Sequence, residues 1–197
     1  MNISNSDFVF INCPFDEAYF DLLLSLLFTV IYLGKEPLIS ETKDSSDNRL
    51  TEIIKLMKQG KYSIHDLSRI EETRYNMPFE LGIDYGLKYS EMFTDKTILI
   101  LEAQKYSLKS VISDIAGSDP KCHNNNQQEL IKCIRDWFFV NDNVDAIAYT
   151  EIYDAYYMFY KKLANDLHSK NIPVPLKIDT IPINEIIKNM KKYVENL

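Results

Sequence analysis

Four short apolar runs are separated by segments with helical spacing: FVFINC at residues 8–13, EPLISE at 36–41, KYSIHDL at 61–67 and KTILILE at 96–102. This alternation constrains the fold more than any other feature. A strand–helix–strand repeat joins parallel strands through crossover helices, so an open parallel sheet flanked by helices is expected. The intervening segments fit that reading. Residues 17–33 are apolar on most faces, as in a buried helix, and stop at Gly34. Residues 48–59 place Leu50, Ile53, Ile54 and Met57 at helical spacing and stop at Gly60. A third helix is expected over residues 77–89.

Beyond the fourth run, residues 107–116 and 126–140 read as helices. A long helix over 145–169 carries Tyr149, Tyr153, Tyr156, Tyr157 and Tyr160, and Pro173 and Pro175 follow it. Residues 183–193 form a last amphipathic helix with Ile186, Ile187, Met190 and Tyr193. The expected organisation is an α/β nucleoside- or nucleotide-binding domain over 1–140 and a helical C-terminal extension over 141–197. The extension is expected to pack on the sheet domain or on a second subunit.

The net charge is -7, so no global basic field points to nucleic acid, and no direct nucleic-acid partner is expected. Cys13, Cys122 and Cys133 are odd in number and irregularly spaced, which does not describe a disulfide framework. The longest apolar run, residues 22–33, is too short to span a bilayer, and the N-terminal residues lack the pattern of a secretory signal. No membrane association and a cytoplasmic location are expected.

Ligands of open parallel sheets bind beyond the carboxyl ends of the strands. Segments 12–16, 41–49, 66–80 and 102–106 converge there in this topology. They bring Asn12, Phe15, Asp16, Glu41, Arg49, Asp66, Arg69, Arg74, Met77 and Glu80 toward one edge. No GxxxxGK[ST] and no GxGxxG follows a strand, which argues against P-loop and ordinary dinucleotide-binding chemistry. Cys122, His123 and Cys133 supply three soft ligands without a fourth at useful spacing, so no metal and no cofactor is expected. His65 and Asp66 are neighbours in a strand and point to opposite faces, so His65 reads as a partly buried structural histidine.

Within RYNMPFELG, residues 74–82, Glu80 has two readings. Pro78 suits a first helical position and a glutamate near it complements the helix dipole; with Met77 as N-cap, Glu80 would stand at the third helical position, N3 of a capping box, although Met77 has no side-chain oxygen to complete it. Asn76 is a better cap and would move Glu80 beyond that position. Alternatively, Glu80 does chemistry. A helix N-terminus with Arg69 and Arg74 nearby would favour the ionised carboxylate, suited to a nucleophile or to stabilising a developing cation. Gly82 and Gly86 leave one side of this helix bare, which would fit close approach of a ligand or of backbone.

Phe79-Glu80-Leu81-Gly82, placed after the third strand, and Asp66 at that strand's end resemble the superfamily joining nucleoside 2-deoxyribosyltransferases with TIR-like domains. FINCPFD, YSIHDLSR and RYNMPFELG are also similar to an uncharacterised bacterial family associated with phage defence. Met77-Pro78 and the NCPFD loop depart from the deoxyribosyltransferase pattern. The resemblance implies a flavodoxin- or TIR-like sheet and an N-glycosidase or N-ribosyltransferase acting on a nucleoside, nucleotide or NAD-like molecule. Glu80 would be the nucleophile or cation stabiliser. Asp16 and Asp66 would hold sugar hydroxyls or activate water, and Arg49, Arg69 and Arg74 would contact phosphate or base. A homo-oligomer or a defence-system partner protein is expected. The alternative is a non-catalytic nucleotide-sensing or assembly module on the same fold, with the tyrosine-rich helix as its interface.

Overall fold

The computed structural model describes residues 7–40, 47–69, 75–93, 95–142, 144–178 and 180–197. Each expected apolar run forms a strand: β1 Phe8–Asn12, β2 Glu36–Leu38, β3 Tyr62–Asp66 and β4 Thr97–Glu102. A fifth strand, β5 Lys121–Cys122, was not expected, because two residues carry no readable alternation. All pairings are parallel, and the strand order is β2-β1-β3-β4-β5. This is the flavodoxin-like order, whose direction of winding reverses between β1 and β3. Every β3 side chain is buried, as both-face coverage of a central parallel strand requires.

The chain divides into two compact units: Met1–Pro14 with Lys35–Asn124, and Phe15–Gly34 with Asn125–Leu197. The first holds the sheet with helices α2 (Asp47–Gln59), α3 (Asn76–Lys88) and α4 (Ser107–Val111). Leu67, Met77, Leu81, Ile100 and Leu108 form one core cluster of this unit; Phe10, Ile53 and Met57 form another. Gly60 turns the chain from α2 into β3 where a Cβ would stand 2.9 Å from the Tyr62 carbonyl oxygen and 3.2 Å from the Phe10 nitrogen.

The second unit is helical: α1 (Phe20–Tyr32), α5 (Gln127–Asn141), α6 (Tyr149–Ser169) and α7 (Ile183–Val194). The compact units thus divide the chain differently from the expected boundary at residue 140, since α1 and α5 join the C-terminal helices. Residues 22–31 of α1 are all buried. The hydroxyls of Ser25 and Thr29 are satisfied within the helix, Ser25 Oγ donating to the Leu22 carbonyl at 2.9 Å and Thr29 Oγ1 to that of Ser25 at 2.6 Å. Gly34, with φ of 74°, supplies the left-handed residue that ends α1. Phe28 stacks on Phe159 at 5.4 Å between ring centroids and lies 5.6 Å from Tyr156, so the tyrosine-rich helix buries Ile152, Tyr156, Phe159, Leu163 and Leu167. Expected helices differ at two ends: residues 107–116 divide into α4 and a 3-10 helix over Ser113–Ser118, and α6 begins at Tyr149. Among the described residues, no helix is long and apolar enough to cross a membrane.

Candidate functional site

The site is built on β1, β3 and α3 of the sheet unit. As the crossover helix after β3, α3 starts at the carboxyl edge of the sheet. Its buried face presents Met77, Glu80, Leu81 and Asp84, one helical turn apart along the i, i+4 pair Glu80–Asp84. Asp84 is anchored beneath by His65 of β3, whose Nε2 lies 2.9 Å from Asp84 Oδ2. Above, the Asn12 side-chain nitrogen at the end of β1 donates to the Met77 carbonyl at 3.1 Å and lies 3.0 Å from His65 Nδ1. Glu80 therefore sits toward the carboxyl ends of β1 and β3, where the winding of the sheet reverses.

Hydrogen-bond partners assign the protons in this network. Only an N–H can face the Met77 carbonyl, so the Asn12 amide nitrogen is oriented there and its second hydrogen points to His65 Nδ1. His65 then accepts on Nδ1 and carries its proton on Nε2, which donates to Asp84. Lys96 Nζ completes the chain, 3.0 Å from Asp84 Oδ1, 2.6 Å from the Met57 carbonyl and 2.9 Å from that of Gly60. Burial acts to raise the Asp84 pKa, but the hydrogen bond from His65 and the Lys96 cation outweigh it and leave the carboxyl below its usual value. Burial depresses the Lys96 pKa, and Asp84 opposes that shift.

Glu80 is 9% exposed, and no hydrogen bond to it is found among the described residues. Burial pushes its pKa up to about 7, with the Arg49 guanidinium of α2 pulling the other way. This corrects the expectation of an ionised carboxylate held at a helix N-terminus. The N-cap is Tyr75, so Glu80 is the fifth residue of α3, past any capping box, and no acidic residue stands in the first turn. Pro78 is accordingly the third helical residue, not the first. The bare glycine side differs too: a Cβ at Gly82 or Gly86 would meet nothing within 4 Å, so no backbone among the described residues presses there.

Asp66, at the end of β3, is fully buried. Its Oδ1 accepts from the Ser68 backbone nitrogen at 2.9 Å and from the Ser68 hydroxyl, and its Oδ2 lies 3.1 Å from His123 Nε2. Ser68 Oγ is 2.8 Å from the same Nε2. Asp66 and Ser68 thus share one ring nitrogen, and the buried Nδ1 has no partner among the described residues; this is not the serine–histidine–acid relay, in which they occupy opposite nitrogens. The group ties the loop after β3 to the end of β5.

The structure brings together Asn12, Met77, Glu80 and Arg49 from the expected set. Met77 contributes its carbonyl, while its side chain lies in the core cluster rather than lining a ligand site. Both Asn12 amide hydrogens are committed, one to the Met77 carbonyl and one to His65 Nδ1. Arg69 is half-buried just after Ser68. Asp16 and Phe15 belong to the helical unit, where Asp16 Oδ1 accepts from the Tyr19 backbone nitrogen at 3.0 Å in the turn before α1. The expected convergence of Asp16 with Asp66 and Glu80 is therefore not part of the sheet unit's geometry. Glu41 and Arg74 lie outside the described residues. No group of three or more His, Cys, Asp or Glu side chains among the described residues is placed to hold a metal ion.

Sequence reasoning missed Asp84, Lys96 and Ser68, and weighed His123 only as a metal ligand. For Asp84 a signal existed: a carboxylate four residues after Glu80 repeats an acid on the helix's buried face. Comparisons with protein-family models, with curated proteins and with solved structures return no match for this chain.

Proposed function

We propose that this chain cleaves the base–sugar bond of a nucleoside, nucleotide or NAD-like molecule, with Glu80 as the reacting carboxylate. The observation that carries the reading is a buried carboxylate with no hydrogen-bond partner among the described residues, raised to about 7, beside the winding reversal of a parallel sheet. Structural carboxylates in such burial are held by named partners, as Asp84 is by His65 and the Lys96 cation and Asp66 by Ser68 and His123. Glu80 holds its proton loosely near neutrality. Once deprotonated, it can attack the anomeric carbon or stabilise the cation that develops as the base leaves with the bonding electron pair. A nucleobase leaving as an anion takes up a proton from water, whereas nicotinamide leaves neutral; water, giving up a proton, or a second nucleophile then takes the sugar. Arg49, and with it Arg69, supplies positive charge for a phosphate or an electron-rich base.

The test is chromatographic detection of free base after incubation with nucleosides, nucleotides and NAD, with and without a candidate partner protein. Glu80→Gln keeps size and removes the anion, so base release should fall by orders of magnitude. Wild-type release should rise with pH through about 7 as Glu80 loses its proton. Equal turnover by wild type and Glu80→Gln refutes the assignment.

A second reading, a non-catalytic nucleotide-sensing or assembly module, is favoured by Asp66. The acid assigned to the sugar hydroxyls is enclosed and committed to Ser68 and His123. Saturable nucleotide binding without base release, unchanged in Glu80→Gln, would select this reading.

A further inference from the structure

The outward face of α3 has the wrong chemistry for a helix facing water. Tyr75, Phe79, Gly82, Gly86 and Tyr89 follow one another at intervals of three and four, which puts them on one narrow stripe opposite Glu80 and Asp84. Tyr75 is 70% exposed, Phe79 57% and Tyr89 80%, and Met92 just beyond the helix is 83% exposed. The remaining residue on that side within the first turn is Pro78, so the stripe carries no charge in a chain that is 26% Asp, Glu, Lys and Arg. At its centre, the space beside both glycines is open to 4 Å. One of its aromatic anchors is held in place: Tyr89 stacks on Tyr85 at 6.0 Å between centroids, and the Tyr85 hydroxyl donates to Ser118 Oγ at 2.6 Å.

We propose that this stripe is the contact between two copies of the chain, with the two α3 helices packed antiparallel about a two-fold axis. Four observations select a second copy over another occupant. The stripe is self-complementary about residue 84: in an antiparallel pair Phe79 of one copy faces Tyr89 of the other, and Gly82 faces Gly86. The glycines admit the close backbone approach that the aromatic ends then enclose. The area suffices: four side chains of about 200 Å² at their observed exposures offer about 600 Å² per copy, about 1,200 Å² in all. That exceeds the roughly 1,000 Å² a specific interface needs. The charge also fits. Two copies each carrying -7 repel one another, and an uncharged stripe is where such copies can meet. The contact is isologous and closes at two, so it makes dimers and not filaments. Of the tyrosine-rich α6, the interface of the alternative reading from sequence, Tyr156 and Phe159 are buried within the helical unit and Tyr157 is 48% exposed, less than Tyr75, Phe79 or Tyr89 of the α3 stripe, which takes that role. The proposal is independent of any activity at Glu80.

The experiment is analytical ultracentrifugation of the full chain between about 1 and 100 µM, on wild type and on Gly82→Lys and Gly86→Lys. A Cβ beside either glycine meets no atom of the described residues within 4 Å, and lysine favours helix over glycine, so both variants should keep their circular dichroism. Wild type should reach a dimer mass and stop there. Each lysine buries two unpaired cations in the symmetric contact and should weaken the dimer on the order of 100-fold or more. Tyr89→Ser, at the stripe's edge, should weaken it less than either. A wild type that stays monomeric at 100 µM overturns the proposal, as does one whose mass keeps rising beyond two copies. A dimer unaffected by both lysine variants overturns it as well, and would place the contact elsewhere.

Discussion

Replacing Glu80 by Gln should stabilise the protein at alkaline pH and change its stability little at acid pH. Burial raises the Glu80 pKa from 4.5 to about 7. Below pH 4.5 the carboxyl is protonated in the folded and unfolded chain alike, and its titration contributes nothing. Between 4.5 and about 7 the folded state keeps a proton that the unfolded state has released, so stability falls as pH rises. Above about 7 the group is ionised in both states, and the full penalty of the buried anion is present. A shift of that size corresponds to about 3 kcal/mol at about 1.4 kcal/mol per pH unit. Glutamine cannot titrate, so the stability of Glu80→Gln relative to wild type should grow by roughly 2–3 kcal/mol between pH 5 and pH 8. Urea titrations of both proteins at the two pH values, followed by far-UV circular dichroism, measure this difference, and any constant offset from the amide cancels. A difference that does not change with pH refutes the argument. One of opposite sign shows instead that Arg49 holds Glu80 ionised. A capping role would have given a loss of about 1 kcal/mol.

The buried ion pair and the tight turn give two further outcomes. Asp84→Asn leaves Lys96 as an uncompensated buried cation and should destabilise the sheet unit by about 3–5 kcal/mol; joint replacement Asp84→Leu with Lys96→Met should recover much of that loss in the same urea titration. Gly60→Ala drives a Cβ against the Tyr62 carbonyl and the Phe10 nitrogen, both backbone atoms that cannot move aside, and should lower stability by about 1–3 kcal/mol.

Period and polarity reveal strands long enough to show them. KTILILE reads as a strand because its apolar run is bounded by a lysine and a glutamate, and β4 spans Thr97–Glu102 within it. Lys121–Cys122 has no such pattern: it is a strand because β4 offers it hydrogen bonds, Leu101 standing opposite Lys121. The structural role of His65 follows from the two-residue period of a strand, which separates it from Asp66; the structure gives each its own partners. Those partners, Asp84 and His123, lie 19 and 57 residues away in the chain, and local spacing cannot select them. The break expected at residue 140 treats α1 as part of the sheet domain because it follows β1, whereas compactness groups it with α5, α6 and α7.

The sequence by itself determined the class of the fold: alternating apolar runs and helical segments leave a parallel sheet as the way to bury both faces of each strand. It also placed Glu80 at the start of the helix after β3. The state of that carboxylate was decided by tertiary structure alone. Local sequence offers a helix N-terminus and nearby arginines, which would keep the group ionised. The fold turns Glu80 inward above Asp84, where the loss of water outweighs the pull of Arg49 and carries its pKa to about 7. Desolvation depends on everything packed around a group, and no stretch of sequence encodes that by itself.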